Sequence, residues 1–330
     1  MRRLAVVVSS KSMHALQERL ALLAEVAPTH HLLVSGARGV DVEPGHVAYL
    51  LDVNGATAAT ALRLRGRPYV VDTGDDVAQL ARNLGKGRPQ VAARRGAERL
   101  LIRGAAAVVC RGTFHRPVLR SWYRGPLCWA PDTVDDKILD GPAASKHDDL
   151  IASFGTAGAA GPDGRTYGWE VIDVLARRPH LRGQLVVAGP GRAALERRAD
   201  ELGVTDRVSI EPRVPLAELL SRISRAAYIT SVQSDDRAGW VRTTGKLPLA
   251  LGVGAALLST EVGEAASVLP ARFLVPPGSS EAVADALAAA TDAPLPDGWS
   301  ANARLLAERY RRSSVSGRLR DFLRATVETG

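Results

Sequence analysis

The stretch QLVVAGPGRAALERRADELGVTDRVSIEP (Gln184–Pro212) decides the fold. It opens on a short apolar, β-branched run that ends at Gly-Pro-Gly. A helical pattern, RAALERRADELG, follows, and RVSIEP (207–212) returns to a second short run. Strand, tight turn, helix and strand in that order make a βαβ unit, whose crossover helix joins two parallel strands. The alternation continues outward in both directions. DLIASFG (149–155) precedes it, and AAYITS (226–231), AALLS (255–259) and RFLVP (272–276) follow, with PLAELLSRISRA among the helical patterns between them. A parallel sheet needs cover on both faces, so the second half is predicted as a doubly wound α/β domain.

The first half reads the same way. LAVVV (4–8), HLLVS (31–35), VAYLLDV (47–53), PYVVD (68–72), AAVVC (106–110) and PLCWA (126–130) read as strands. Helical patterns fall at about 12–26, 56–65, 75–84 and 90–104. Between the halves, PDTVDDKILDGPAASKHDD (131–149) is rich in Pro, Asp, Gly and Ser without period and reads as a linker. Two helical segments, about 298–311 and 315–327, close the chain. The expectation is α/β: two Rossmann-like parallel-sheet domains facing across a cleft, 1–130 and 150–312. Ligands of such sheets sit beyond the carboxyl ends of the strands, so the strand-to-helix loops carry the candidates.

The bulk numbers agree with two domains. The chain has 330 residues, more than one core usually serves, and it is 46% hydrophobic and 24% charged, a globular balance. Cys110 and Cys128 lie near apolar runs and lack metal spacing, which excludes a disulfide framework and fits core packing in a reduced cytoplasmic setting. The opening MRRLAVVVSS is too short in apolar residues for a secretion signal, and no run approaches the roughly 18 residues that span a bilayer. The net charge of +8 is spread, with clusters such as ARRGAERLLIR (93–103) and ERYRRSSVSGRLR (308–320) on helical patterns. These read as solvated faces, with steering of an anionic substrate and peripheral contact with an anionic membrane as open alternatives. No reader motif or interleaved aromatics point to nucleic acid.

Four loops hold the candidate chemistry. FGTAGAAGPDGRTYG (154–168) is glycine-rich, which lets backbone N–H groups approach a phosphate, and Arg165 adds charge. In VVAGPGRAALE (186–196), Gly189 and Gly191 permit a tight turn into a helix whose first residue is Arg192, a cation opposed by the dipole unless an anion neutralises it. In VRTTGKLPLALGVGAALLST (241–260), the Gly239-to-Gly245 spacing is one residue too long for a P-loop, and Leu247 stands where a hydroxyl is required. What remains is a helix start: Thr243 or Thr244 can cap and Pro248 fits the first turn. Capping does not account for Lys246, and an anion at that terminus would reconcile cap, Gly245 and lysine. In PYVVDTGDD (68–76), one of Asp72, Asp75 and Asp76, with Asp75 favoured, caps a helix, and a second could meet a hydroxyl or act as a base. Lys11 and His14 leave the first strand, and His30 and His31 read as a strand entry. No GxSxG elbow supports a hydrolase.

The second half resembles the donor domain of GT-B glycosyltransferases of the large retaining group that uses nucleotide sugars. The residues that carry the resemblance are Gly189 and Gly191 after a strand, Arg207 and Val208, Arg213 and Val214, Ser231, Lys246, Gly254, and Gly263 with Glu264. The first half resembles the acceptor domain in layout only. Two departures stand out. The family's two glutamates, with seven residues between them, fall at Val241 and Leu249, and its arginine–lysine diphosphate grip lacks the arginine after Phe154, with Tyr167 in place of the lysine. Arg165 and Lys246 are the substitutes here.

The resemblance implies a metal-independent, retaining glycosyltransferase with a nucleotide diphosphosugar as co-substrate, no other cofactor, and a small-molecule, glycan or lipid-linked acceptor. It also implies a closing helix, about 313–330, that packs back on the first domain. The diphosphate would meet Thr243, Thr244, Gly245 and Lys246 together with Gly155 and Thr156, close to Gly189 and Gly191. Arg213 and Val214 would lie by the base, and Ser234, Asp235 and Asp236 by the sugar. Lys246, Arg165 and, on the acceptor side, Asp75 are the catalytic candidates. A pseudo-glycosyltransferase or epimerase of the same fold, and a non-catalytic nucleotide-sugar-binding protein, are the alternative readings.

Overall fold

The computed structural model describes residues 3–8, 14–27, 29–33, 42–43, 45–51, 60, 62–158 and 165–327. Lys11, half of the predicted helix 56–65 and residues 159–164 of the glycine-rich loop lie outside them, as do the side chains of His14, His30 and His31. Two compact units form. The first comprises Met1–Thr133, Trp240–Thr243 and Tyr310–Gly330, the second Val134–Gly239 and Thr244–Arg309.

The first unit contains β1 (Arg3–Val8), α1 (His14–Val26), β2 (Thr29–Leu33), β3 (His46–Leu51), β4 (Tyr69–Thr73), α2 (Val77–Asn83), α3 (Arg88–Arg103), β5 (Ala107–Cys110), α4 (His115–Arg120) and β6 (Leu127–Trp129). Its six strands are all parallel, in the order β2-β1-β3-β4-β5-β6. The two-residue period of a strand divides the side chains between the two faces. Leu4, Val6, Val47, Tyr49 and Leu51 pack on one face against Leu22, Leu23 and Val26 of α1. Ala5, Val7, Ala48 and Leu50 pack on the other with Leu101 and Ile102 of α3 and Leu119 of α4.

The second unit runs α5 (Asp136–Asp140), β7 (His147–Thr156), α6 (Trp169–Arg177), β8 (Arg182–Ala188), α7 (Arg192–Glu201), β9 (Val208–Pro212), α8 (Leu216–Ile223), β10 (Ala226–Ser231), α9 (Arg237–Val241), α10 (Lys246–Gly252), β11 (Ala256–Thr260), α11 (Gly263–Val268), β12 (Leu274–Val275), α12 (Ser280–Ala290) and α13 (Trp299–Ala307). The last residues of α9 cluster with the first unit. The strands are again parallel, in the order β12-β11-β10-β7-β8-β9, so the winding reverses between β7 and β10. In an open parallel sheet that reversal is where the strand ends leave room for a ligand.

α14 (Arg312–Val327) returns to the first unit, where Val315, Leu319, Leu323 and Val327 join the core face shared with α1. Arg312 donates to Glu18 of α1 at 2.7 Å. The stretch read as a linker carries structure of its own. Asp135 accepts the Lys137 N–H and starts α5, and Arg304 donates to the carbonyls of Ile138 and Gly141. His147 already belongs to β7.

Two capping expectations are corrected. Asp76, not Asp75, caps α2, accepting the Gln79 N–H at 2.8 Å. Neither Thr243 nor Thr244 caps α10 with its side chain. Gly245 is the N-cap residue, and Thr244 contributes its carbonyl to the Leu247 N–H.

Candidate functional site

At the carboxyl end of β7, beside the point of reversal, lies a cluster of polar side chains in an otherwise apolar interior. Glu170, in the first turn of α6, is fully buried. It accepts hydrogen bonds from Ser153 Oγ (3.2 Å), Thr230 Oγ1 (2.9 Å) and the Gly168 N–H (2.8 Å). Ser153 comes from β7 and Thr230 from β10, so the carboxylate joins the two strands that flank the reversal. Lys246 Nζ donates to Ser153 Oγ at 2.9 Å. The serine therefore stands between ammonium and carboxylate, and among the described residues no carboxylate pairs with the half-buried Lys246 directly. Burial pushes the ammonium below the usual lysine range, against the pull of Glu170. A neighbouring anion would supply what this environment lacks, because a desolvated charge gains most from a partner in low dielectric.

Three of the glycines named from sequence gather around the same strand end. Gly155 has φ +133°, and a Cβ there would lie 3.9 Å from Lys246 Cε. A Cβ on Gly189 would meet Ala157 O at 3.2 Å, and on Gly191 the Thr166 Cγ2 at 2.3 Å. The Gly-Pro-Gly turn thus seats directly on the loop after β7, with Thr156 between. That packing occupies the Gly191 N–H, which donates to Ala157 O at 3.0 Å. That amide is committed within the fold, so the turn's glycines would meet a ligand through their lack of side chains rather than through this N–H.

The other candidates are distributed more widely. Arg165 pairs with buried Asp173 at 2.9 Å and stacks over Trp169 at 5.2 Å. Arg198 also grips Asp173, at 2.9 and 3.0 Å. Arg165 is thus a counter-ion of α6 rather than a cation left over by its fold. Asp236 caps α9, its Oδ1 accepting the N–H groups of Ala238 (2.8 Å) and Gly239 (3.0 Å), so a carboxylate expected at the sugar serves a helix start. Asp235 is exposed and Ser234 half-buried in the same turn, and a Cβ on Gly239 would overlap Ser234 O. Arg213 and Val214, both half-buried, connect β9 to α8. Arg207 donates to the carbonyls of Leu175, Arg178, Pro179 and Leu181, closing the end of α6.

In the first unit, Asp75 pairs with Arg242 at 2.9 Å and Thr243 Oγ1 approaches Asp132 at 3.4 Å. Asp72 is a structural counter-ion. It receives Arg19 Nε at 2.6 Å, Arg111 Nε at 2.9 Å and the Tyr49 hydroxyl at 2.6 Å. Burial alone would raise this carboxyl, and the two guanidinium groups overcome it and hold it below its ordinary value. An acid so enclosed is no base for an acceptor.

Ser153, Glu170 and Thr230 escaped the sequence reading. The available signal was two carboxylates, Glu170 and Asp173, inside the apolar run WEVIDVL of a helix facing the sheet. Among the described residues no group of three or more His, Cys, Asp or Glu is placed to hold a metal ion.

The architecture is that of the GT-B glycosyltransferases. Sucrose-phosphate synthase from Thermosynechococcus elongatus matches over 100% of both chains, with TM-score 0.68 and 14% identity. Anabaena Alr3699/HepE in complex with UDP-glucose matches over 98% of this chain and 100% of its own, at 0.70 and 15%. A glycosyltransferase from Rickettsia africae ESF-5 matches over 100% of both chains, at 0.69 and 11%. At such identities the likeness is one of fold. No protein-family model matches the sequence, and no curated protein matches it.

Proposed function

We propose that this chain is a glycosyltransferase that moves a sugar from a nucleotide diphosphosugar to an acceptor hydroxyl or amine without a metal ion. The observation that carries the reading is Lys246: an ammonium held short of its buried carboxylate by a serine, at the carboxyl edge of a parallel sheet where the winding reverses. Cleavage of the donor builds negative charge on the leaving diphosphate. A fixed cation in a partly dehydrated site lowers that barrier, because its orientation is settled before the reaction begins. Gly155 brings backbone close to the same ammonium, leaving room for phosphate oxygens. UDP is the first nucleotide to try, since the Anabaena protein of the same fold is seen with UDP-glucose. The second unit holds the donor in this reading and the first unit the acceptor. Retention of configuration follows the family resemblance.

Titration calorimetry with UDP, GDP, ADP and UDP-glucose tests the proposal. Lys246→Met should weaken the preferred diphosphate by about 10- to 100-fold, the ~1.5–3 kcal/mol of a charge-assisted hydrogen bond, while the fold and melting temperature hold. If no nucleoside diphosphate binds, or the variant binds as well as the parent, the reading fails.

A second reading, binding without turnover, has one observation behind it. Val241 and Leu249, at the positions of the family's glutamates, are 1% and 3% exposed, apolar sites that admit no carboxylate. Release of free UDP in step with a glycosylated product separates the two.

A further inference from the structure

One stretch of the first unit is strongly basic. Residues 82–103 contain seven Arg and Lys against a single acid, Glu98, in a chain whose total is +8. Most of the stretch is α3, which buries Val91, Leu101 and Ile102 and leaves Arg88, Arg94, Arg99 and Arg103 exposed around Leu100. Arg88 and Arg99 are eleven residues apart, about three helical turns, and so align along one side, with Arg103 one turn further on. Arg99 lies over the Trp122 ring at 5.7 Å. Among the described residues Arg88, Arg94 and Arg103 form no ion pair, although elsewhere in the chain arginines such as Arg177, Arg178, Arg182 and Arg192 each take a carboxylate. A solvated helix ordinarily intersperses acids among its cations, and this one does not.

The second observation is apolar. Four large hydrophobic side chains are exposed among the described residues, and three of them, Leu64 (84%), Leu84 (47%) and Leu100 (48%), flank or sit on this surface. Leu84 ends α2 just before α3. Leu64 follows Arg63, whose side chain lies against Gly104 at the end of α3. Unpaired cations with protruding leucines match a surface that offers negative headgroups above hydrocarbon. A nucleic acid or other hydrated polyanion would use the arginines and leave the leucines in water.

We propose that the α3 face bearing Arg88, Arg99 and Arg103, beside Leu100, docks the protein on an anionic lipid surface. The proposal stands apart from donor binding, which involves none of these side chains. Each Lys or Arg near such a surface is worth about a fivefold gain in partition at physiological salt.

The test is sedimentation of the full chain with vesicles of phosphatidylglycerol and phosphatidylcholine, against vesicles of phosphatidylcholine alone. Binding is expected only to the anionic vesicles, and it should fall steeply with added salt. Arg88→Gln and Arg103→Gln together should weaken it about 25-fold while leaving UDP affinity and melting temperature as they were. Leu100→Gln alone should weaken it several-fold at high and low salt alike. The proposal is overturned if the anionic vesicles are not bound, if both variants sediment like the parent, or if heparin or DNA competes away all binding and Leu100→Gln has no effect. Loss of vesicle binding would leave a nucleotide affinity at Lys246 untouched, so the two readings fail separately.

Discussion

Asp72 illustrates how much of this chain's polar chemistry is internal. Its carboxylate is enclosed by Arg19, Arg111 and Tyr49, and its side chain is without solvent exposure. Asp72→Asn would leave two buried guanidinium groups uncompensated and should cost about 3–5 kcal/mol, read as a lowered urea midpoint. The pH dependence follows in sign. A carboxyl held below its unfolded value of about 3.9 contributes stability that is present above that pH and is lost as pH falls through the folded value. The parent should therefore lose stability more steeply than Asp72→Asn as the solution is acidified below about pH 4. Sequence placed three carboxylates after β4 but could not rank them, because neighbouring acids serve equally as cap, ion-pair partner or base until the strand end fixes which way each points. Asp72 turned inward, Asp75 went to Arg242 and Asp76 became the cap. Lys246 was legible because a cation in the first turn conflicts with the helix dipole. Glu170 was not, since its partners Ser153 and Thr230 are 17 and 60 residues away in the chain.

The secondary elements were far easier to read than their ends. Short apolar runs, many of them β-branched, gave every described strand of both sheets, since a parallel strand is buried on both faces. RFLVP shrank to Leu274–Val275 because Ala271–Phe273 form a 3₁₀ turn and only those two residues pair with β11. Caps are different: they depend on one dihedral, and that is where the threonines before α10 misled. Substitution can weigh these contacts. Asp76→Ala removes the hydrogen bond that starts α2 and should cost about 1 kcal/mol, whereas Asp75→Ala loses only a partly exposed ion pair worth about 0–1 kcal/mol. α14 is secured by packing rather than caps. Leu319 is fully buried in the cluster that α14 shares with α1, and Leu319→Ala should cost about 2–5 kcal/mol depending on how far the cavity collapses. Chemical denaturation monitored by far-UV circular dichroism gives all three values. A loss at Asp75 matching that at Asp76 would contradict the cap assignment.

For the molecule as a whole, two sheets with separate cores mean that the proposed donor would stabilise one of them directly. Composition announced the pair of domains by length alone, and the alternation of elements gave their type, but nothing local in the sequence says that residues 240–243 belong with the first unit, and for 310–330 only the family resemblance implied it. That membership depends on partners far along the chain, such as Glu18 for Arg312 and Asp75 for Arg242. Donor binding offers a direct measurement of how the units share stability. A diphosphate at one hundred times its dissociation constant stabilises the state that binds it by about 2.7 kcal/mol. If the diphosphate docks at Lys246, hydrogen exchange should slow most in residues 150–158, 165–177 and 244–252, which contain Ser153, Glu170 and Lys246. Amides of β4, β5 and β6 should change less, because Ser153, Glu170 and Lys246 all belong to the second unit. Lys246→Met should abolish the protection at the same nucleotide concentration while the exchange pattern of the free protein stays that of the parent. Protection that appeared first in β4 to β6 and left residues 150–158 unaltered would move the nucleotide to the other sheet and remove Lys246 from the reaction.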